Sequence, residues 1–132
     1  MYRLTAFGIA VLVLAAACSS AGDSVTGTVT KIDRKGLPEN AVVQVELRDT
    51  SLQDVASALI SLETIEMNGN QLPVPYRLPY DADEIDERNT YVVSARLTSD
   101  GQLIYISDMA NLAITHGNPT EEVEVTVVRV GG

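Results

Sequence analysis

Tryptophan is absent, cysteine, histidine and phenylalanine occur once each, and lysine plus arginine number 9 against 18 aspartates and glutamates. A single cysteine cannot close an internal disulfide, and with one histidine beside it no conventional Cys/His zinc site can be assembled. The shortage of cations excludes a phosphate-tracking surface, because a formal charge of −9 at pH 7 repels nucleic acid and anionic lipid headgroups. Long uncharged runs are likewise missing beyond the first seventeen residues. What is present is 45% hydrophobic and 20% charged residues, a composition that folds, and a length of 132 residues that suits one small domain with one core.

The amino-terminal stretch carries a leader pattern. Arg3 supplies a small positive region, and Leu4 to Ala17 then run without a charge. A membrane-spanning helix needs roughly 20 apolar residues, and this run stops short of that, at Ala15-Ala16-Ala17, before the polar Ser19-Ser20-Ala21-Gly22-Asp23. Cys18 directly follows three small residues, the arrangement that a lipoprotein peptidase requires, and Leu14-Ala15-Ala16-Ala17-Cys18 resembles a bacterial lipobox with Ala15 where leucine is commonest. The alternative, an ordinary secretory leader, would leave Cys18 as an unpaired thiol in an oxidising compartment. The expected organisation is therefore a signal peptide over 1–17, an acylated Cys18 with a tether over 18–24, and a folded domain over 25–132. Losing Arg3 with the leader takes the formal charge from −9 to −10. Lipid on Cys18 would anchor the chain to the membrane, and Ser19 after it resembles the pattern of lipoproteins passed to the outer membrane, facing the periplasm.

Beyond the tether, apolar residues recur with period two, and valine and threonine dominate, which predicts strands. Val25 to Ile32 is the first, with Val25, Gly27 and Val29 on one face. Ala41 to Arg48 places Val43, Val45 and Leu47 on one side and Gln44, Glu46 and Arg48 on the other. Leu59 to Glu66 is the third, and Asn68-Gly69, a pair suited to a tight turn, predicts a hairpin to Leu72–Tyr80. In that fourth strand Pro73, Pro75 and Pro79 all occupy odd positions, so the missing N–H donors lie along one edge, as in an edge strand protected from aggregation. Asp81 to Asn89 reads as a helical turn. Tyr91 to Thr98 alternates again, and Asp100-Gly101 passes it to Leu103–Ser107. Glu122 to Val130 closes the domain with Val123, Val125 and Val127 inward. About seven strands so spaced predict an all-β fold, an antiparallel β-sandwich or small open barrel with short helical turns.

Chemistry-bearing clusters are sparse. Asp81, Asp83, Glu84, Asp86 and Glu87 crowd together, but the sixth position from Asp81 is Asp86 rather than glycine and the twelfth is Val92 rather than glutamate, unlike an EF-hand loop. His116 has no Gly-x-Ser-x-Gly elbow to serve. Asp49, Ser51 and Asp54 suit turns of the Asx and Ser kind. No enzymatic activity, metal site or cofactor is expected. The segment Leu103-Ile104-Tyr105-Ile106 is apolar on both faces, and whichever face lies outside the core needs a cover, which makes Ile104 and Ile106 the candidate partner contact.

The succession Val25-Thr26-Gly27-Thr28-Val29, Leu37-Pro38, Ala41-Val42-Val43-x-Val45-x-Leu47-x-Asp49, Pro73-Val74-Pro75-Tyr76-x-Leu78-x-Tyr80-Asp81 and Tyr91-x-Val93-x-Ala95-Arg96 resembles the YbaY-like lipoproteins, a group similar to the YscW-type pilotins of type III secretion systems. The resemblance implies a β-rich envelope lipoprotein without a catalytic motif. In the pilotin branch such a domain escorts a secretin subunit to the outer membrane, so the expected role is a scaffold or chaperone for an envelope protein. The alternative is a module that binds a small apolar or saccharide ligand in the mouth of an open barrel.

Overall fold

The period-two pattern is realised strand by strand in a computed structural model, which describes residues 23–51 and 57–131. The strands are β1 (Asp23–Lys31), β2 (Val42–Asp49), β3 (Ala58–Glu66), β4 (Val74–Tyr80), β5 (Tyr91–Ser99), β6 (Gln102–Ser107), β7 (Asn111–Ala113) and β8 (Val125–Arg129). Alternate residues point to opposite faces, and those expected inward are buried: Val43, Val45 and Leu47 on β2, Tyr91, Val93, Ala95 and Leu97 on β5, and Val125 and Val127 on β8. Fully burying a valine or leucine contributes about 1.5–3 kcal/mol, so these rows hold the wall in register.

Hydrogen bonding orders the strands β3-β2-β5-β6-β8-β1-β4, with β7 beside β5, and the sheet rolls into a nearly closed seven-stranded barrel. Of the two architectures expected, the open barrel is the one found. Two expectations about pairing need correction. The ladder is not wholly antiparallel, since β8 returns beside β1 in the same direction, Val29 facing Val125 and Lys31 facing Val127. Nor do β3 and β4 form a hairpin, although Asn68 and Gly69 do adopt the left-handed turn conformation, with φ of 50° and 88°. β3 pairs with β2 and β4 with β1, so these sequence neighbours become the two free edges of the sheet.

The prolines explain that separation. Even-numbered residues of β4 face β1 with their N–H groups, and odd ones face β3, so Pro75 and Pro79 remove donors on the β3 side. The Arg77 N–H on that side donates instead to the Glu63 side chain, Oε1 at 2.7 Å. Glu63 stands opposite buried Val45 and so leans from the inner face of β3 across the gap. Edges that cannot ladder are thus bridged by one carboxylate, leaving a seam in the wall.

One end of the barrel holds the start of β1 and the connections β2–β3, β4–β5 and β7–β8. The other holds the connections β1–β2, β3–β4 and β5–β6 and the end of β8. The core lies between them, with Leu37 buried at the second end and Tyr76, Tyr91 and Tyr105 as its largest side chains.

Candidate functional site

The sequence places the candidate contact on β6, and the structure divides its two isoleucines. β6 bulges against β5: Leu97 faces Tyr105 and Thr98 faces Leu103, which leaves Ile104 without an opposite number. Ile104 consequently packs against the core and Tyr105 lies inside the barrel. Ile106 stands between Arg96 on β5 and Val128 on β8, half-buried on the outer face. Strict alternation would have set Ile104 and Ile106 side by side.

Just past Ile106 the wall breaks. Residues 108–110 loop out before β7 resumes pairing with β5 at Asn111 opposite Val93. Side chains satisfy the backbone groups there: the Ala95 N–H donates to Ser107 Oγ at 3.0 Å, and Asn111 Nδ2 donates to the Val93 carbonyl at 3.2 Å. A shallow depression of about 70 Å³ remains on the outer wall, lined by Gln44, Glu46, Ser94, Arg96, Ile106 and Ser107. Met109, 72% exposed, and exposed Leu112 stand on the far side of the break. Apolar Ile106, Met109 and Leu112 thus stand beside a polar margin of Gln44, Glu46, Ser94 and Arg96.

A wider, open depression of about 690 Å³ runs along β1 and β4, lined by Thr26, Gly27, Thr28, Pro75, Tyr76, Glu122 and Glu124. A β-carbon on Gly27 would lie 2.0 Å from the Val123 carbonyl oxygen, so only glycine lets residues 120–123 cross there. Tyr76, opposite Gly27 in register, donates its hydroxyl to that carbonyl at 2.6 Å. Burial pushes the Tyr76 phenol well above its ordinary pKa, which keeps it a neutral donor.

The remaining singled-out residues serve local structure. Asp81 caps a single 3-10 turn, Ala82–Glu84, accepting from the Asp83 N–H while the Glu84 side chain accepts from the Asp81 N–H. Arg88 hydrogen-bonds Asp86 through its side chain and backbone and holds that carboxyl at about 2. Burial works to raise the Asp49 pKa, and hydrogen bonds from Ser51 and Asn89 outweigh it, so the group is net lowered. His116 lies exposed in the left-handed region, φ 59°, on a turn with Gly117. Among the described residues no group of three or more histidines, cysteines or acids is placed to hold a metal ion. Cys18 and Asp54 lie outside the described residues. Ile32, 77% exposed, and Met109 were not foreseen; for Ile32 the available signal was an isoleucine enclosed by Lys31 and Asp33 at a strand end.

Against this geometry, a family model for the type III secretion system lipoprotein chaperone (YscW) matches residues 20–125. The chain belongs to the YscW family. By structural comparison the chain is similar to an alternative pilotin from the type II secretion system of Vibrio cholerae, with a TM-score of 0.78 and 37% sequence identity, covering 83% of this chain and 98% of that one. It is 27% identical to the uncharacterized lipoprotein YbaY of Escherichia coli (strain K12), over 83% of this chain and 62% of that protein's length. The residues that carried the YbaY/YscW resemblance, such as Gly27, Val43, Val45, Tyr76 and Val93, are wall and core positions, which is why they define the YscW barrel without marking a contact surface.

Proposed function

We propose that this chain is a lipid-anchored, non-enzymatic chaperone of the bacterial envelope, held through Cys18 to the outer membrane on its periplasmic side, that escorts a secretin-type protein. The observation that carries this reading is that the matching family and the structural relative are both named for secretion-system lipoprotein chaperones or pilotins, the latter sharing 37% identity over 98% of its length. The surface supports it: Ile106, Met109 and Leu112 offer apolar contact around a break in the wall, where a partner segment gains burial at about 25 cal/mol per Å².

The test is co-expression of the chain with a secretin subunit from the same cell. Secretin multimers are expected in the outer-membrane fraction with the wild type, and mislocalised or degraded subunits with Cys18→Ser, in which no other residue can carry the lipid. Labelled fatty acid should enter the wild type and not the variant. Ile106→Ser, paired with Ile104→Ser because the latter reaches the core, separates contact from folding: Ile104→Ser should lower the melting temperature, and Ile106→Ser should weaken secretin recovery with little thermal change. Secretin multimers that form equally well without the chain would sink the proposal.

A further inference from the structure

The acids and bases of this chain are not spread evenly. The Asp81–Glu87 turn lies at the end where β1 begins and Glu122 and Glu124 lie beside the middle of β1, whereas Arg34, Lys35 and Arg129 follow the ends of β1 and β8 at the opposite end, with Ile32 and Val130. Ile32 is 77% exposed and Val130 is exposed as well. Neighbours turned inward hold Ile32 outward. The Lys31 ammonium donates to Asp33 Oδ1 at 3.0 Å and to the Asp33 carbonyl at 2.9 Å, and the Lys31 side chain is only 10% exposed. The Tyr105 hydroxyl, rising from the core, donates to the same carboxylate at 2.9 Å. Arg129 lies with its guanidinium carbon 5.7 Å from the Tyr105 ring centre. With Lys31 and Asp33 drawn to the barrel mouth, the side chain between them can only point to solvent.

Asp33 is thereby neutralised within the cluster, and among the described residues Arg34, Lys35 and Arg129 form no ion pair. The other acids of this end, Glu39, Glu66 and Asp100, sit on the β2, β3 and β5–β6 side; Asp100 accepts from the Asn40 side chain there. The corner also continues from β6, since the Val130 N–H donates to the Ile104 carbonyl at 2.9 Å. We infer that Ile32 and Val130, ringed by Arg34, Lys35 and Arg129, form a docking corner for an acidic, apolar-bearing segment of a partner protein. Charge complementarity selects the acid, because this is a cationic patch on a chain of formal charge −9. A protein is favoured over a lipid surface by position: the nine residues of β1 separate the corner from the tether by about 26 Å at 3.3 Å per residue. The inference rests on the proposed function in two respects, in taking the partner to be a protein and in taking the chain to be anchored through its amino-terminal tether.

The experiment uses the intact chain and a fluorescent peptide of alternating glutamate and leucine, with an alternating lysine and leucine peptide and phosphatidylglycerol–phosphatidylcholine vesicles as comparisons. The Glu/Leu peptide should bind, should weaken as salt rises, and should lose about tenfold or more in affinity with Arg34→Glu/Lys35→Glu and with Ile32→Ser, while thermal melts stay unchanged. Equal binding by the charge-reversed variant, or equal binding of the Lys/Leu peptide, overturns the proposal. Vesicle binding that depends on Arg34 and Lys35 without peptide binding overturns it in favour of a lipid surface. No secretin enters this measurement, so it and the multimer assay fail separately.

Discussion

Gly27 and Tyr76 act as a pair across two neighbouring strands, one removing a side chain and the other supplying a hydroxyl at the same carbonyl. Gly27→Ala forces the Val123 backbone to move, and a loss of about 3 kcal/mol is expected in urea unfolding, the upper part of the range for overpacking. Tyr76 gives a pH signature whose sign is fixed by burial. Its folded phenol ionises well above the unfolded value of 10.0, so above pH 10 the unfolded chain releases a proton that the folded chain keeps, and stability falls as pH rises through that value. Burial, and secondarily Asp23, raise Tyr80 in the same direction. Tyr76→Phe should therefore shrink the alkaline loss without abolishing it, measured as the urea midpoint on either side of pH 10. Its cost at neutral pH should be about 1–3 kcal/mol, from the unpaired Val123 carbonyl. That Gly27 faces inward was legible in the alternation; what presses against it was not, because residues 120–123 are nearly a hundred positions away.

Strand positions were largely readable because every wall strand has one buried face, and burial enforces period two. Pairing was less so. Asn68-Gly69 makes the turn its chemistry predicts, yet a turn fixes only local direction, and the prolines on the facing edge withhold the donors that a hairpin needs. The same prolines that marked β4 as an edge strand were thus evidence against the hairpin. β7 went unforeseen because three residues, Asn111–Ala113, are too few to show a period, and the parallel β1/β8 pair because nothing local announces a partner so far away. The bulge at Ile104 had no sequence mark either, and it is what splits the candidate contact. Restoring two N–H groups with Pro75→Thr/Pro79→Thr should give β4 a pairing edge, so the variant is expected to self-associate with rising concentration in sedimentation velocity more than the wild type does. If the variant sediments as the wild type does at every concentration, the prolines have another purpose.

At the scale of the whole molecule, the Asp81–Glu87 turn and the cationic corner lie at opposite ends, and among the described residues no acid cluster is placed to hold a metal ion. Chelation should leave the melting temperature of the chain unchanged in differential scanning calorimetry, since no acid cluster among the described residues is arranged as a cage; a calcium-dependent rise would promote Asp81, Asp83 and Asp86 to ligands. The corner was hidden in the sequence because its parts come from residues 32–35 and 129–130, and only closure of the barrel brings them together. That closure depends on β8, which joins β6 on one side and β1 on the other. Without it the sheet is two pieces: a ribbon of β1 and β4, and a meander of β3, β2, β5 and β6. In a chain emerging amino-terminus first, no backbone ladder joins these halves, only the Glu63–Arg77 bridge and side-chain packing, until residues 125–129 are free. Completion is therefore a late, vectorial event, and any segment that pairs with the waiting edge of β1 or β6 competes with the chain's own last strand for the same slot.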